Sequence, residues 1–221
     1  MPRLLPAFVL SAALAVLAAP WALDQPALAW VFKPLATALV IAFAWGRGEA
    51  GSAQRRAVLA GLMLSWVGDV ALLWPRQGFL PGLVAFLLAH LAYLLAFTRG
   101  VRFGAWWPAF AAYALVAGAI LALLWPGVPA PLRGAVLAYV ACLASMAAQA
   151  AVRWRLRRGL PDERWAASAA IGGALFVLSD AMLAADRFAQ PLPAASLCIL
   201  PAYWAAQWLI ARSLPPRGLP K

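Results

Sequence analysis

Acidic residues are scarce in this chain: its 221 residues include seven Asp and Glu against eighteen Lys and Arg, with one histidine and two cysteines. Each shortage excludes something. A single His argues against a zinc hydrolase centre built from several His ligands. Cys142 and Cys198 fall inside apolar runs, with no CxxC and no His at ligand spacing. They read as small packing residues rather than a disulfide or a structural metal site. The sequence has no G-x-S-x-G, no H-E-x-x-H and no Walker A loop, so serine hydrolase, zincin and nucleotidase readings lack their motifs. Charge of either sign is thin, at 11% of residues against roughly 25% in an average soluble domain.

What is abundant is apolar. Hydrophobic residues make up 66% of the chain, against roughly 45–50% on average, and the mean hydropathy is +0.83. A soluble globule of this length has no interior large enough for that excess, whereas a bilayer accepts Leu, Ala, Val and Trp on the outside of a helix bundle. The expected fold is therefore all-α: one integral membrane domain over residues 1–221. The net charge of +11 would point to nucleic acid in a soluble protein. Here the basic residues sit in short gaps between apolar runs, which excludes that partner and gives the charge a topological meaning, with anionic headgroups as secondary contacts.

Eight runs have about the length of a spanning helix, at roughly 4–20, 28–45, 57–75, 79–98, 105–125, 132–152, 165–185 and 192–212. Pro26, Gly46 to Gly51, Pro75 to Gly78, Gly100, Pro126 to Pro131, Gly159 to Pro161 and Pro191 punctuate them. Arg3, Arg47, Arg55, Arg56, Arg99, Arg102, the Arg153 to Arg164 cluster, Arg212, Arg217 and Lys221 fall at alternate connections; Arg76, Arg133 and Arg187 fall on the other side. This asymmetry predicts cytoplasmic termini, in a bacterial inner membrane. Arg3 followed by a short Ala/Leu core also fits a signal sequence, cleaved or retained. The twelve Trp residues lie mostly near span ends, as interfacial anchors do.

Gly61 to Asp69 aligns without a gap on Gly172 to Asp180, and each stretch continues to an Arg, Arg76 or Arg187. Two parallel four-helix repeats would explain this, as would chance similarity between apolar helices. The polar residues inside the spans are few: Lys33, Ser65, Asp69, His90, Tyr93, Gln149, Ser179, Asp180, Tyr203 and Gln207. An ionisable group at the centre of a spanning helix costs roughly 2.5–3.5 kcal/mol on insertion scales, so such groups face the bundle interior and mark function. Asp69 and Asp180 are expected at equal depths, about two turns before the non-cytoplasmic ends of the third and seventh helices. Ser65 is a turn from Asp69, His90 precedes Tyr93 by three residues and Tyr203 precedes Gln207 by four, so each pair shares a face. One polar pocket fed by the third, fourth, seventh and eighth helices is the simplest arrangement. Two carboxyl groups there repel when both are ionised, and one protonated beside one ionised is a general acid and a general base. The alternatives are acids that only tie helices together and a His90/Asp/Asp metal site. Lys33, beside Pro34, either snorkels to the surface or faces an acid or a phosphate.

These residues resemble the YhhN-like or TMEM86 lysoplasmalogenase family. The likeness rests on Lys33-Pro34-Leu35, on Gly61 through Ser65 to Gly68-Asp69, and on Phe79, Gly82, Ala85, Phe86, His90 and Tyr93 in order. It continues through Gly173, Phe176, Ser179-Asp180, Tyr203 and Gln207, so it spans most of the chain. The resemblance implies an eight-helix hydrolase of the vinyl ether bond of lysoplasmalogens, releasing a fatty aldehyde and glycerophosphoethanolamine or glycerophosphocholine. It implies Asp69 and Asp180 as catalytic residues, with no metal and no organic cofactor. The expected substrate-binding set is Lys33, Ser65, His90, Tyr93, Ser179, Tyr203 and Gln207. A proton-coupled transporter and a noncatalytic lipid-binding scaffold are the competing classes, the first because paired acids and parallel repeats also occur in transporters.

Overall fold

In the computed structural model, residues 4–74 and 76–218 are described; Arg3, Pro75 and Lys221 lie outside them. The chain forms eight α-helices among the described residues: α1 Leu4–Leu17, α2 Pro26–Trp45, α3 Ala53–Ala71, α4 Phe79–Phe97, α5 Trp107–Leu124, α6 Arg133–Leu156, α7 Glu163–Phe188 and α8 Ala195–Arg212. Local chemistry sets several ends. Pro26 opens α2, where its missing N–H has no helical partner to lose. The Ser52 hydroxyl caps α3 by accepting from the Arg55 amide. Glu163 places negative charge in the first turn of α7 and Arg187 places positive charge in its last.

Each helix falls on one of the eight apolar runs, but only five of them are both long and apolar enough to cross a membrane: α2, α4, α5, α6 and α7, with α5 and α6 counted together with the short 3₁₀ turns beside them. The expectation of eight spans is met only in part. Helix α1 has 14 residues, short of the ~20 that a hydrocarbon core requires. Helix α3 carries Arg55, Arg56 and Asp69, and α8 carries Tyr203, Gln207 and Arg212. Asp69, Tyr203 and Gln207 serve the interior while the arginines sit near the helix ends, and together they lower the hydropathy of α3 and α8.

Helices α2, α3, α4, α6, α7 and α8 pack in a closed ring, each touching the next and α8 returning to α2. Helix α1 lies against α2 and α8; α5 lies against α6 and α7. Neighbour pairs α1–α2, α2–α3 and α3–α4 are matched by α5–α6, α6–α7 and α7–α8, and α2–α8 is matched by α4–α6. The core centres on Leu62, Phe97, Met146, Phe176, Trp204 and Ile210. Helix α5 buries only Ala109 among its residues and leaves Leu115 and Leu123 exposed, the disposition of a helix facing lipid.

Basic side chains hold the ends of the bundle on one side. Arg153 donates to the Arg99 carbonyl at 2.6 Å and Arg157 to the Gly100 carbonyl at 2.9 Å. Arg47 is buried and donates to the carbonyls of Leu214 at 2.7 Å and Arg212 at 3.2 Å, tying the chain after α8 to the α2–α3 connection. Burial, together with the like charges of Arg212 and Arg164, lowers the guanidinium of Arg47 from its ordinary value.

The aligned aspartates sit differently in their helices. Helix α7 continues eight residues past Asp180 to Phe188, whereas α3 ends at Ala71, two residues past Asp69. The expectation of two further turns after each acid fails for α3. Pro75 disfavours helix in the residue before it, and the returning chain packs directly on the helix end: a Cβ on Gly78 would come 1.7 Å from the Ala71 carbonyl oxygen.

Candidate functional site

Asp69 is buried near the end of α3. Its Oδ2 accepts from the Thr37 hydroxyl at 2.6 Å and from the Tyr203 hydroxyl at 2.7 Å, and the Lys33 Nζ stands 3.8 Å from Oδ1. Lys33 and Thr37 are one turn apart on α2, so they present one face to the same carboxyl. Lys33 therefore faces an acid. Around this centre the Trp204 indole donates to Thr37 at 3.1 Å, the Gln207 amide donates to the Tyr203 hydroxyl at 3.1 Å and Tyr93 donates to Gln207 at 2.7 Å. Ser65 and Tyr93 meet at 3.4 Å. Thus Lys33, Ser65, Asp69, Tyr93, Tyr203 and Gln207 gather in one buried network, with Thr37 and Trp204 added by the fold.

Asp180 belongs to a second network. Its Oδ2 accepts a short hydrogen bond from the Tyr139 hydroxyl on α6, and His90 Nε2 on α4 lies 3.0 Å from that hydroxyl and 3.6 Å from the carboxyl oxygen. Because Tyr139 spends its proton on Asp180, the consistent tautomer has His90 Nε2–H donating to Tyr139. His90 Nδ1 is buried without a partner among the described residues. No cluster of three His, Cys, Asp or Glu that could hold a metal ion occurs among the described residues.

The single converging pocket expected from the sequence is therefore two centres. Phe176 packs edge-on against His90 at 4.6 Å and against Tyr203 at 5.5 Å, and Phe86 packs edge-on against Tyr203 at 5.8 Å. These rings stand between the Asp180 and Asp69 networks. Gly68, beside Asp69, permits this: a Cβ there would come 2.6 Å from the Phe86 ring. The two centres share a construction rule. Each acid on the third helix of its half is met by the second helix of the same half (Thr37 and Lys33 on α2, Tyr139 on α6) and by the fourth helix of the other half (Tyr203 on α8, His90 on α4).

The Asp180 centre opens onto a cavity. The cavity, open to the outside, lies between α4, α5, α6 and α7. Its wall is aliphatic and aromatic, with Tyr113, Tyr139, Asp180 and Arg187 as the polar side chains lining it. Along α7 the lining runs from Val177 through Asp180 to Arg187 and Phe188, about 16 Å of helix. Such a cavity suits an apolar chain, with one carboxyl partway along it and one fixed positive charge at one end.

Two sequence-selected residues stand apart from both centres. Ser179 donates to the Ile199 carbonyl at 3.1 Å. Gln149 accepts from the Gly104 amide at 3.1 Å and braces the α4–α5 connection. Thr37, Tyr139 and Arg187 were not among the residues picked from the sequence. Thr37 is four residues from Lys33, and Arg187 is seven from Asp180, so helical spacing held a signal for those two; Tyr139 carried none.

The YhhN family model matches residues 28–214. Human lysoplasmalogenase TMEM86B is 34% identical over 203 residues, covering 90% of this chain and 82% of the relative. Pig lysoplasmalogenase TMEM86B is 38% identical over 172 residues, covering 75% and 66%. The uncharacterized membrane protein YhhN of Escherichia coli is 29% identical over 185 residues, covering 84% and 86%. No solved structure matches the chain.

Proposed function

The chain belongs to the YhhN family, and from that membership we propose that it is an integral membrane hydrolase that cleaves the vinyl ether bond of lysoplasmalogens. The observation that carries the reading is Asp180: a carboxyl group, oriented by Tyr139 and His90, on the wall of an apolar cavity fit for a lipid chain. Relatives named lysoplasmalogenase match over most of the chain.

The chemistry needs a proton donor in a dry site. Oδ2 of Asp180 is engaged by Tyr139, while Oδ1 has no hydrogen bond within the described residues; a proton on Oδ1 is available to the cavity. Its transfer to the β-carbon of the vinyl ether leaves an oxocarbenium ion, with the former double-bond electrons in the new C–H bond. Water adds to the α-carbon and returns a proton to Asp180. The resulting hemiacetal passes its hydroxyl proton to the glycerol oxygen as the C–O bond breaks, giving a fatty aldehyde and a glycerophospho-alcohol with one water consumed. Asp180 thus serves as acid and then as base, and its carboxylate stabilises the cation between those steps. Asp69, held by Lys33, Thr37 and Tyr203 behind the Phe86 and Phe176 rings, positions the wall of the site. The two aspartates divide the work rather than sharing one proton.

In the same reading the chain forms one membrane domain built as two parallel four-helix repeats, with both termini cytoplasmic in a bacterial inner membrane. Matched helix pairs and the alternate placement of arginines support this. The test is aldehyde release by the detergent-solubilised protein from a lysoplasmalogen, compared with its ester and saturated-ether analogues. Release from the vinyl ether alone is expected. Solute or proton flux in liposomes without cleavage would replace the hydrolase with a transporter.

A further inference from the structure

Arg187 and Asp180 line one cavity from one helix, seven residues apart, so they share a face of α7 about 10 Å apart along its axis. Arg187 lies 4.7 Å above the Phe79 ring, and that ring packs edge-on against Phe188. Arg187 is exposed, and among the described residues no carboxylate forms an ion pair with it, so its charge is open to a ligand. On the other side of Asp180, the α6 residues Leu143 and Ala144 lie one turn beyond Tyr139, opposite Val177, and all of them are apolar. The cavity therefore has a fixed order: cation, carboxyl, apolar end.

We propose that Arg187 binds the phosphate of the lysolipid and sets the register that brings the vinyl ether to Asp180. This rests on the lysoplasmalogenase reading and adds the pose. In a 1-alkenyl glycerophospholipid, seven bonds separate phosphorus from the β-carbon. A peptide residue spans about 3.5 Å over three bonds when extended, so seven bonds reach roughly 8 Å. That is close to the axial separation of the two side chains, both of which can bend toward the ligand. Arg is the side chain suited to phosphate because its planar fork makes two parallel charge-assisted hydrogen bonds. The same seven-residue spacing joins Asp69 to Arg76, yet it forms no such pair: α3 ends at Ala71, and Arg76, in the turn beyond it, does not line this cavity as Arg187 does.

Three probes test the pose on the full-length protein in detergent: a 1-alkenyl glycerophosphoethanolamine, the phosphate-free 1-alkenylglycerol, and an uncleavable 1-alkyl glycerophosphoethanolamine for binding. Arg187→Gln should raise KM for the first by about tenfold to a hundredfold, the worth of a charge-assisted contact, with kcat little changed. It should leave the phosphate-free substrate unaffected and weaken binding of the alkyl analogue by the same factor. Arg187→Lys should retain part of the affinity, and Arg76→Gln should behave as wild type. Inorganic phosphate at equal concentration should not displace the analogue; displacement would make this a site for free phosphate and overturn the pose. So would equal effects of Arg187→Gln on both substrates. If the wild type cleaves neither substrate, the hydrolase reading fails, but binding of the alkyl analogue still decides the pose: unchanged affinity in Arg187→Gln overturns it, and a loss upholds a phospholipid site.

Discussion

The Tyr203 hydroxyl on α8 donates to Asp69 on α3 at 2.7 Å across 134 residues of sequence. This bond joins the two halves of the chain, and Lys33 and Thr37 on α2 complete the cage around the same carboxyl. Removing the charge leaves Lys33 facing a neutral group in a buried setting. Breaking a buried ion pair from one side costs roughly 3–5 kcal/mol, so Asp69→Asn should lower the melting temperature in detergent together with activity. The double variant Lys33→Met/Asp69→Asn should recover part of the melting temperature, and a double-mutant cycle reads the coupling. Additive losses would sever the two residues.

Asp180→Asn should behave differently. The side chain keeps its shape and can still accept from Tyr139, so the fold and the binding of an uncleavable alkyl analogue should persist. General acid catalysis contributes about 10²–10⁴ in rate, and aldehyde release should fall by that range. A variant retaining full turnover would remove Asp180 from the chemistry. Tyr139→Phe, which deletes the hydroxyl between His90 and Asp180, should reduce kcat by a smaller factor with KM unchanged.

Ala144 lines the apolar end of the cavity beyond Asp180. Phenylalanine in its place fills space that a lipid chain would occupy. Ala144→Phe should therefore lower kcat/KM for long alkenyl chains much more than for short ones. A chain-length series measures this directly; an equal reduction at every length would place the chain elsewhere.

Arg47 is a structural prediction away from the site. Its guanidinium holds the Leu214 and Arg212 carbonyls and lies 5.0 Å over the Phe43 ring. Hydrogen bonds to charged groups contribute about 1.5–3 kcal/mol. Arg47→Ala should lower stability by that order and expose the segment after Ser213 to protease, with catalysis by the folded fraction unaltered.

Much of the molecule was legible before folding. Long apolar runs broken by Pro, Gly and Arg located all eight helices, because length and hydropathy are local properties of the chain. Asp69 and Asp180 stood out because an ionised group in an apolar helix is costly wherever the bundle places it. Helical spacing put Lys33 on the same face as Thr37, and Asp180 on the same face as Arg187. Spacing of this kind depends only on the 3.6-residue period.

Which faces meet was settled by packing. Nothing local to Tyr139 announces that α6 will turn it toward Asp180, and nothing local to Phe86 or Phe176 announces that they will part the two acids. Lys33 could have reached the surface until α2 was set against α3. The matched sequences around Asp69 and Asp180 suggested matched sites, but α3 stops after Ala71 while α7 runs on to Arg187, so of the two only Asp180 has a basic residue two turns further along the same helix face. The sequence by itself determined the helices and the two carboxyls within them, since both derive from local composition. The tertiary structure alone decided that one carboxyl is enclosed and the other faces a cavity, because that depends on which helix surfaces exclude each other from lipid.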